Sequence, residues 1–235
     1  MFKKQSLAEK REQRWAWLMV APTIIGLLVL NYYPLIETFI LSFSKTSTFG
    51  TSKFVGLSNY ITMFQTPEFW KATWNTIVFC ILTVPVGIAL ALLVALLLNA
   101  KVKFKGGFRT IYFLPMVCAP AAIAMVWRWM FNGQYGIINT VLGTNINWLT
   151  NSKTAVVACA IVAIWSAVGY DAVLLLSGLQ NISKSYYEAA EIDGASKIRQ
   201  FFSITLPMVS PTLFVTLIMR MMASLKVYDL IYMMI

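Results

Sequence analysis

The sequence predicts an all-α, polytopic bundle of membrane-spanning helices. Three observations carry this. Of the 235 residues, 59% are hydrophobic and 12% charged, whereas soluble domains run at about 45–50% and about 25%. Five apolar runs are long enough to cross hydrocarbon, which takes about 20 residues in a helix. The lysines and arginines lie mainly between those runs and favour one side, the pattern that orients a chain in a bilayer. With a mean hydropathy of +0.71, the surface needs lipid to cover it.

The runs are expected as spans at about 15–43, 74–98, 108–131, 155–179 and 207–228. The first holds Pro22, Pro34 and Glu37, which predict a kinked outer end. The second holds Pro85 and Gly87, and the third Pro115 and Pro120. Proline is tolerated in a span because neighbouring helices satisfy the freed carbonyls. Residues 1–14 form a charged tail with no small-residue cleavage site after the first apolar run, so they read as a basic cytoplasmic tail rather than a signal peptide.

Orientation follows from the cations. Five lie in the tail, four in the loop after the second span (Lys101, Lys103, Lys105, Arg109) and three in the loop after the fourth (Lys184, Lys197, Arg199). The opposite side carries Lys45, Lys53, Lys71, Arg128 and Lys153. The amino terminus and the loop 181–205 are therefore expected in the cytoplasm, in a multi-pass protein of the cell membrane. Trp15, Trp17, Trp70, Trp74, Trp127, Trp129 and Trp148 sit at run ends, as headgroup anchors do. An odd number of spans leaves the carboxy end outside, and the sequence stops at Ile235 with no loop or charged tail, so a sixth span is expected to follow.

Several functions are disfavoured. The net charge of +10 comes without a basic recognition module, so nucleic acid is not an expected partner; membrane lipid is. There is no histidine, and Cys80, Cys118 and Cys159 each lie within an apolar run, which leaves no metal ligand set. The carboxylates within the runs are scattered, and no nucleophile–base pair is evident, so no catalytic residue is assigned and the chain is not read as an enzyme. No GxxxxGK[ST] loop is present, so the chain has no ATP site of that kind.

The segment 181–205 is the most informative. Ser185-Tyr-Tyr-Glu188 has the form of a capping box, Gly194 allows a left-handed joint, and Lys197 to Ile204 reads as a second short helix. By physics alone this is either an interfacial hairpin or a docking element for a soluble partner.

The spacing Glu188-Ala189-Ala190, Gly194, Ile204, Leu206-Pro207 resembles the signature loop of permease subunits of binding-protein-dependent ABC importers. The fuller pattern of this loop resembles the carbohydrate branch, typified by maltose, multiple-sugar and glycerol-3-phosphate permeases. Phe54-Val-Gly-Leu-Ser-Asn-Tyr60, Asn75-Thr76, Arg109 with Phe113-Leu-Pro115, and Trp127-Arg-Trp-Met-Phe131 resemble that branch too. Ser183 stands where the family often has proline.

The resemblance implies a type I importer permease that moves a sugar or oligosaccharide; the alternative is a glycerol-3-phosphate or polyol permease. It implies a second permease subunit, two cytoplasmic ATP-binding subunits that hold ATP and magnesium, and an extracytoplasmic solute-binding protein. Glu188, Ala189, Ala190, Asp193 and Gly194 would form the docking surface for the ATPase.

Ionisable residues at membrane depth are functional candidates: Glu37, Asp171, Arg220, Lys226 and Asp229. At 1.5 Å per residue, Arg220 is about 20 Å and Lys226 about 28 Å above Pro207. Arg220 is expected to pair with Asp171, and Lys226 and Asp229 to share a helical face. By the resemblance, the substrate path draws on Trp165, Gly169, Tyr170, Ser224, Lys226 and Tyr228, whose aromatic faces suit sugar C–H surfaces and whose polar groups suit hydroxyls.

Overall fold

The structure is a computed structural model that describes residues 7–46, 52–100 and 105–235. Residues 1–6 of the basic tail, with Lys3 and Lys4, and the cations Lys101 and Lys103 lie outside the described residues. Contacts divide the chain into two units, Met1–Lys71 and Ala72–Ile235.

The first unit opens with α1 (Leu7–Leu27), a π-helical turn (Leu28–Tyr32) and α2 (Tyr33–Ser42). Together they give an apolar helical run of 35 residues from Ala8 to Ser42. The π turn immediately precedes Pro34, whose missing N–H cannot continue the regular ladder. After Phe43 a short antiparallel hairpin, β1 (Ser44–Thr46) and β2 (Ser52–Phe54), leads to α3 (Ser58–Gln65). Asn59 ties α3 to the hairpin, its Nδ2 donating to the carbonyls of Ser42 at 2.8 Å and Ser44 at 3.0 Å.

The second unit begins within α4 (Pro67–Asn99). It continues with α5 (Lys105–Val117), α6 (Pro120–Met130), α7 (Ile137–Leu142) and α8 (Ser152–Gln180). Next come α9 (Lys184–Ile192), α10 (Lys197–Gln200), a π turn (Phe201–Thr205), α11 (Leu206–Leu225) and α12 (Asp229–Met234). Helix α8 is the centre, with α5, α11 and α12 packed on it. Lipid gives little hydrophobic drive between helices, so association depends on close backbone approach. The buried faces are accordingly rich in small residues: Ala91 and Ala95 on α4, and Ala155, Ala158, Ala160 and Ala172 on α8. A Cβ on Gly169 would sit 1.8 Å from the carbonyl oxygen of Tyr112, so α5 lies against the bare backbone of α8.

The segment 108–131 is not one straight helix. The run breaks at Cys118-Ala119, and the two halves meet at 106°. Ala119 is extended (φ −61°, ψ 133°) because the residue before Pro120 is driven out of the α region, while Pro120 opens α6. Beyond α6, Asn139 is buried and holds the connection to α8 together. Its Nδ2 donates to the carbonyls of Ile146 at 2.9 Å and Gly133 at 3.0 Å, and its Oδ1 accepts from Trp148 Nε1 at 2.8 Å. Trp148 thus braces this loop with the N–H of an indole read from the sequence as a headgroup anchor.

Gly169→Ala is expected to destabilise the second unit by about 1–3 kcal/mol, as overpacking does. Gly26→Ala on α1, where an added Cβ meets nothing within 4 Å, is expected to be neutral or slightly stabilising. Thermal unfolding of both variants in detergent checks the contrast.

Candidate functional site

Where the α5–α6 break faces α8 and the end of α11, the second unit forms an open cavity of about 330 Å³. Pro115, Met116, Cys118 and Pro120 come from the break, Ala163 and Ser166 from α8, and Arg220 and Ser224 from α11. Helix α11 stops at Leu225; Lys226 caps it, and the chain turns through Val227 and Tyr228 before Asp229 opens α12. Lys226 and Asp229 therefore do not share a helical face, contrary to the expectation from their spacing. The acidic Asp229 occupies a helix start, where negative charge is favoured, and both residues still line the cavity.

Polar groups at its inner wall are held by neighbours. Ser224 is buried, with its hydroxyl 2.9 Å from that of Thr83, which donates at 2.8 Å to the carbonyl of Phe79. Arg220 Nη2 donates to the carbonyl of Ala163 at 3.1 Å. Its Nε lies 3.8 Å from Asp171 Oδ2, so the expected α8–α11 ion pair is present, with both side chains buried. Opposite them is Gly87 of α4, where a Cβ would come within 3.1 Å of Arg220 Nη2.

Of the residues proposed for a substrate path, Ser224, Lys226 and Tyr228 meet at this cavity. Trp165, Gly169 and Tyr170 are not among its lining residues. Trp165 packs edge-to-face on Trp127 at 5.4 Å, and Gly169 serves the α5–α8 contact. Glu37 is exposed on α2 in the first unit. Sequence reasoning missed Met116, Cys118 and Ser166, which are small or apolar side chains; the only local signal was the pair of prolines around the break. Among the described residues no group of three or more His, Cys, Asp or Glu is placed to hold a metal ion.

The second cluster is the loop between α8 and α11. Ser183 caps α9, its Oγ accepting from the Ser185 N–H at 3.4 Å. The capping box at Ser185 and Glu188 is thus replaced by a cap two residues earlier, with Ser185 inside the first turn. At the other end the Ala195 N–H donates to the Ala190 carbonyl at 2.8 Å and the Gly194 N–H to that of Glu191 at 3.1 Å. With Gly194 at φ +73° this is a Schellman ending, which only glycine adopts without strain. Ser196 caps α10.

Tyr187 and Gln200 fasten the loop inward: the Tyr187 hydroxyl lies 2.9 Å from Thr205 Oγ1, and Gln200 Nε2 donates to the Ala195 carbonyl at 3.1 Å. Lys197 pairs with Glu191 across the joint. The Lys197 ammonium, by hydrogen bond first and charge second, holds the Glu191 carboxyl below its ordinary range. This pair therefore supports the joint above the usual glutamate range and is lost as pH falls through the lowered pKa. Both groups are exposed, so the effect is small. Glu188, Ala189, Asp193 and Gly194 face outward, and Ala190 is half-buried.

Residues 83–235 match the family "binding-protein-dependent transport system inner membrane component". The chain is 36% identical to the sulfoquinovosyl glycerol transport system permease protein of Agrobacterium fabrum, covering 96% of this chain and 79% of that one. It is 38% identical to the trehalose/maltose transport system permease protein of Thermococcus litoralis, covering 94% and 77%. A crystal structure of a bacterial ABC transporter that imports the acidic polysaccharide alginate shares the fold, with a TM-score of 0.82 at 24% identity over 98% of this chain and 83% of that one. A second alginate transporter structure, in complex with an alginate pentasaccharide-bound periplasmic protein, aligns with a TM-score of 0.79 at 25% identity over 92% and 74%. The chain belongs to this family of membrane-embedded ABC importer permeases, which are transport proteins and not enzymes.

Gly194→Ala, which forces a Cβ into the left-handed region, is expected to cost about 1 kcal/mol and to speed amide exchange at Gly194 and Ala195. Hydrogen exchange of the detergent-solubilised chain reads this directly.

Proposed function

As a member of this family, the chain is, we propose, the permease subunit through which a sugar or oligosaccharide crosses the cytoplasmic membrane. The observation that carries the reading is a mechanical one. From Lys197 to Leu225 the chain is one continuous helix of 29 residues. Its first turn belongs to the exposed loop, and its last turns carry Arg220 and Ser224 at the cavity wall. A push on the loop is thereby delivered to the cavity over about 35 Å of helix.

In this reading the amino terminus and the loop 181–205 lie in the cytoplasm, on the strength of the cation distribution. Glu188, Ala189, Ala190, Asp193 and Gly194 form the surface that enters a cleft of the ATP-binding subunit. Outward carboxylates beside small residues suit a close, polar dock. ATP and magnesium belong to two such subunits, and closure of that pair rocks this chain against a second permease as packed rigid bodies. An extracytoplasmic solute-binding protein delivers the sugar, as the periplasmic protein in the alginate transporter complex supports. Ser224, Lys226 and Tyr228, gathered at one cavity, are its contacts in this chain, whereas Trp165, Gly169 and Tyr170 are not among the residues lining that cavity. The relatives favour carbohydrate over glycerol-3-phosphate or a polyol.

Glu188→Lys and Gly194→Arg are expected to lower sugar uptake by the whole transporter more than tenfold while the chain still reaches the membrane. Co-purification of the ATP-binding subunit should fall in parallel. Normal uptake with normal assembly in both variants would sink the docking assignment.

A further inference from the structure

We propose that Arg220 sets the solute class of this cavity: it offers hydrogen-bond donors to hydroxyl oxygens of a neutral sugar, while Asp171 behind it balances the charge that would otherwise favour an acidic one. This deepens the carbohydrate-permease reading and rests on it.

Arg220 is only 5% exposed, yet it lines the cavity. A guanidinium carries five N–H donors and no acceptor, and among the described residues the hydrogen bond it makes is the one from Nη2 to Ala163. Gly87 closes the α4 side, since even a methyl there would lie 3.2 Å from Nε, so the group cannot withdraw from the cavity in that direction.

Alone, such a group would bind a carboxylate or sulfonate in preference to a hydroxyl. It is not alone. Asp171 Oδ2 lies 3.8 Å from Nε, and both atoms are buried with no hydrogen-bond partner among the described residues. Asp171 itself is not among the lining residues. The cavity thus has Arg220 in its wall and the charge of Asp171 close behind it. At the rim Lys226 and Asp229 add one charge of each sign. The set sums to zero. An acidic sugar entering it therefore gains no net charge attraction, whereas hydroxyls accept from Arg220 without needing one.

Cys118 provides a reporter, because it is exposed and lines the same cavity. In membrane vesicles holding the whole transporter, Cys118 would be labelled with a trimethylammonium and a sulfonate thiosulfonate. Peptide mass spectrometry would read both rates, each normalised to free cysteine. The wild type is expected to show rates within about threefold of each other. Asp171→Asn should shift the ratio about tenfold towards the sulfonate reagent, and Arg220→Gln about tenfold the other way. The double variant should return to balance; it leaves no unpaired buried charge, so it keeps the test decisive if Asp171→Asn fails to assemble.

Arg220→Lys, which keeps the charge and loses the fork of donors, should raise KM for uptake of maltotriose or lactose about tenfold with kcat within twofold. A wild type that favours the sulfonate reagent tenfold, single variants that do not move the ratio, or an unchanged KM in Arg220→Lys would each overturn the proposal. Wild-type import of trigalacturonate in preference to both neutral sugars would overturn it as well. If the wild type imports no carbohydrate at all, the permease reading for sugar fails, while the labelling ratio still decides the charge balance.

Discussion

A guanidinium at bilayer depth has no water to turn to, so the protein must hold it. Around Arg220 that requirement brings three helices to one place. Helix α4 contributes the absence of a side chain at Gly87, and α8 contributes both the Ala163 carbonyl and the Asp171 carboxylate. A cavity opens beside this cluster. Small residues on α8 let the neighbouring backbones come close enough for the arrangement, which leucines there would not.

The same helix that places Arg220 begins in the exposed loop. Continuity from Lys197 to Leu225 needs a firm start, and the loop supplies it: Ser196 caps, Gln200 bonds back to Ala195, and Tyr187 meets Thr205. Gly194 separates this rod from α9 with a left-handed turn. Its open surroundings show that the glycine is required by backbone conformation and not by crowding within the chain. The loop therefore has one flexible choice, the joint, flanked by two fastened helices.

Much of the fold could be read from residue order because hydrocarbon imposes a length on each apolar run. The Arg220–Asp171 pair was legible for a related reason: two opposite charges at depth have few alternatives to each other. Capping was not. Ser183 and Ser185 are both competent caps, and Ile182, buried just ahead of α9, accompanies the choice of Ser183. Nor was the end of α11, since Lys226-Val-Tyr-Asp229 contains no glycine or proline, and an i, i+3 spacing looks helical until the chain turns.

What the sequence alone determined is the class of molecule and the place of its signature loop in the chain. Apolar length, charge placement and the spacing from Glu188 to Pro207 are properties of order along the chain. Tertiary structure alone decided which polar residues share a cavity. The kink at Cys118-Ala119, the turn after Leu225 and the close contact at Gly169 are each weak local signals. Their consequence, that Ser224, Lys226 and Tyr228 line one cavity with Arg220 while Trp165, Gly169 and Tyr170 do not, follows from how the helices pack, and packing is not written in any one of them.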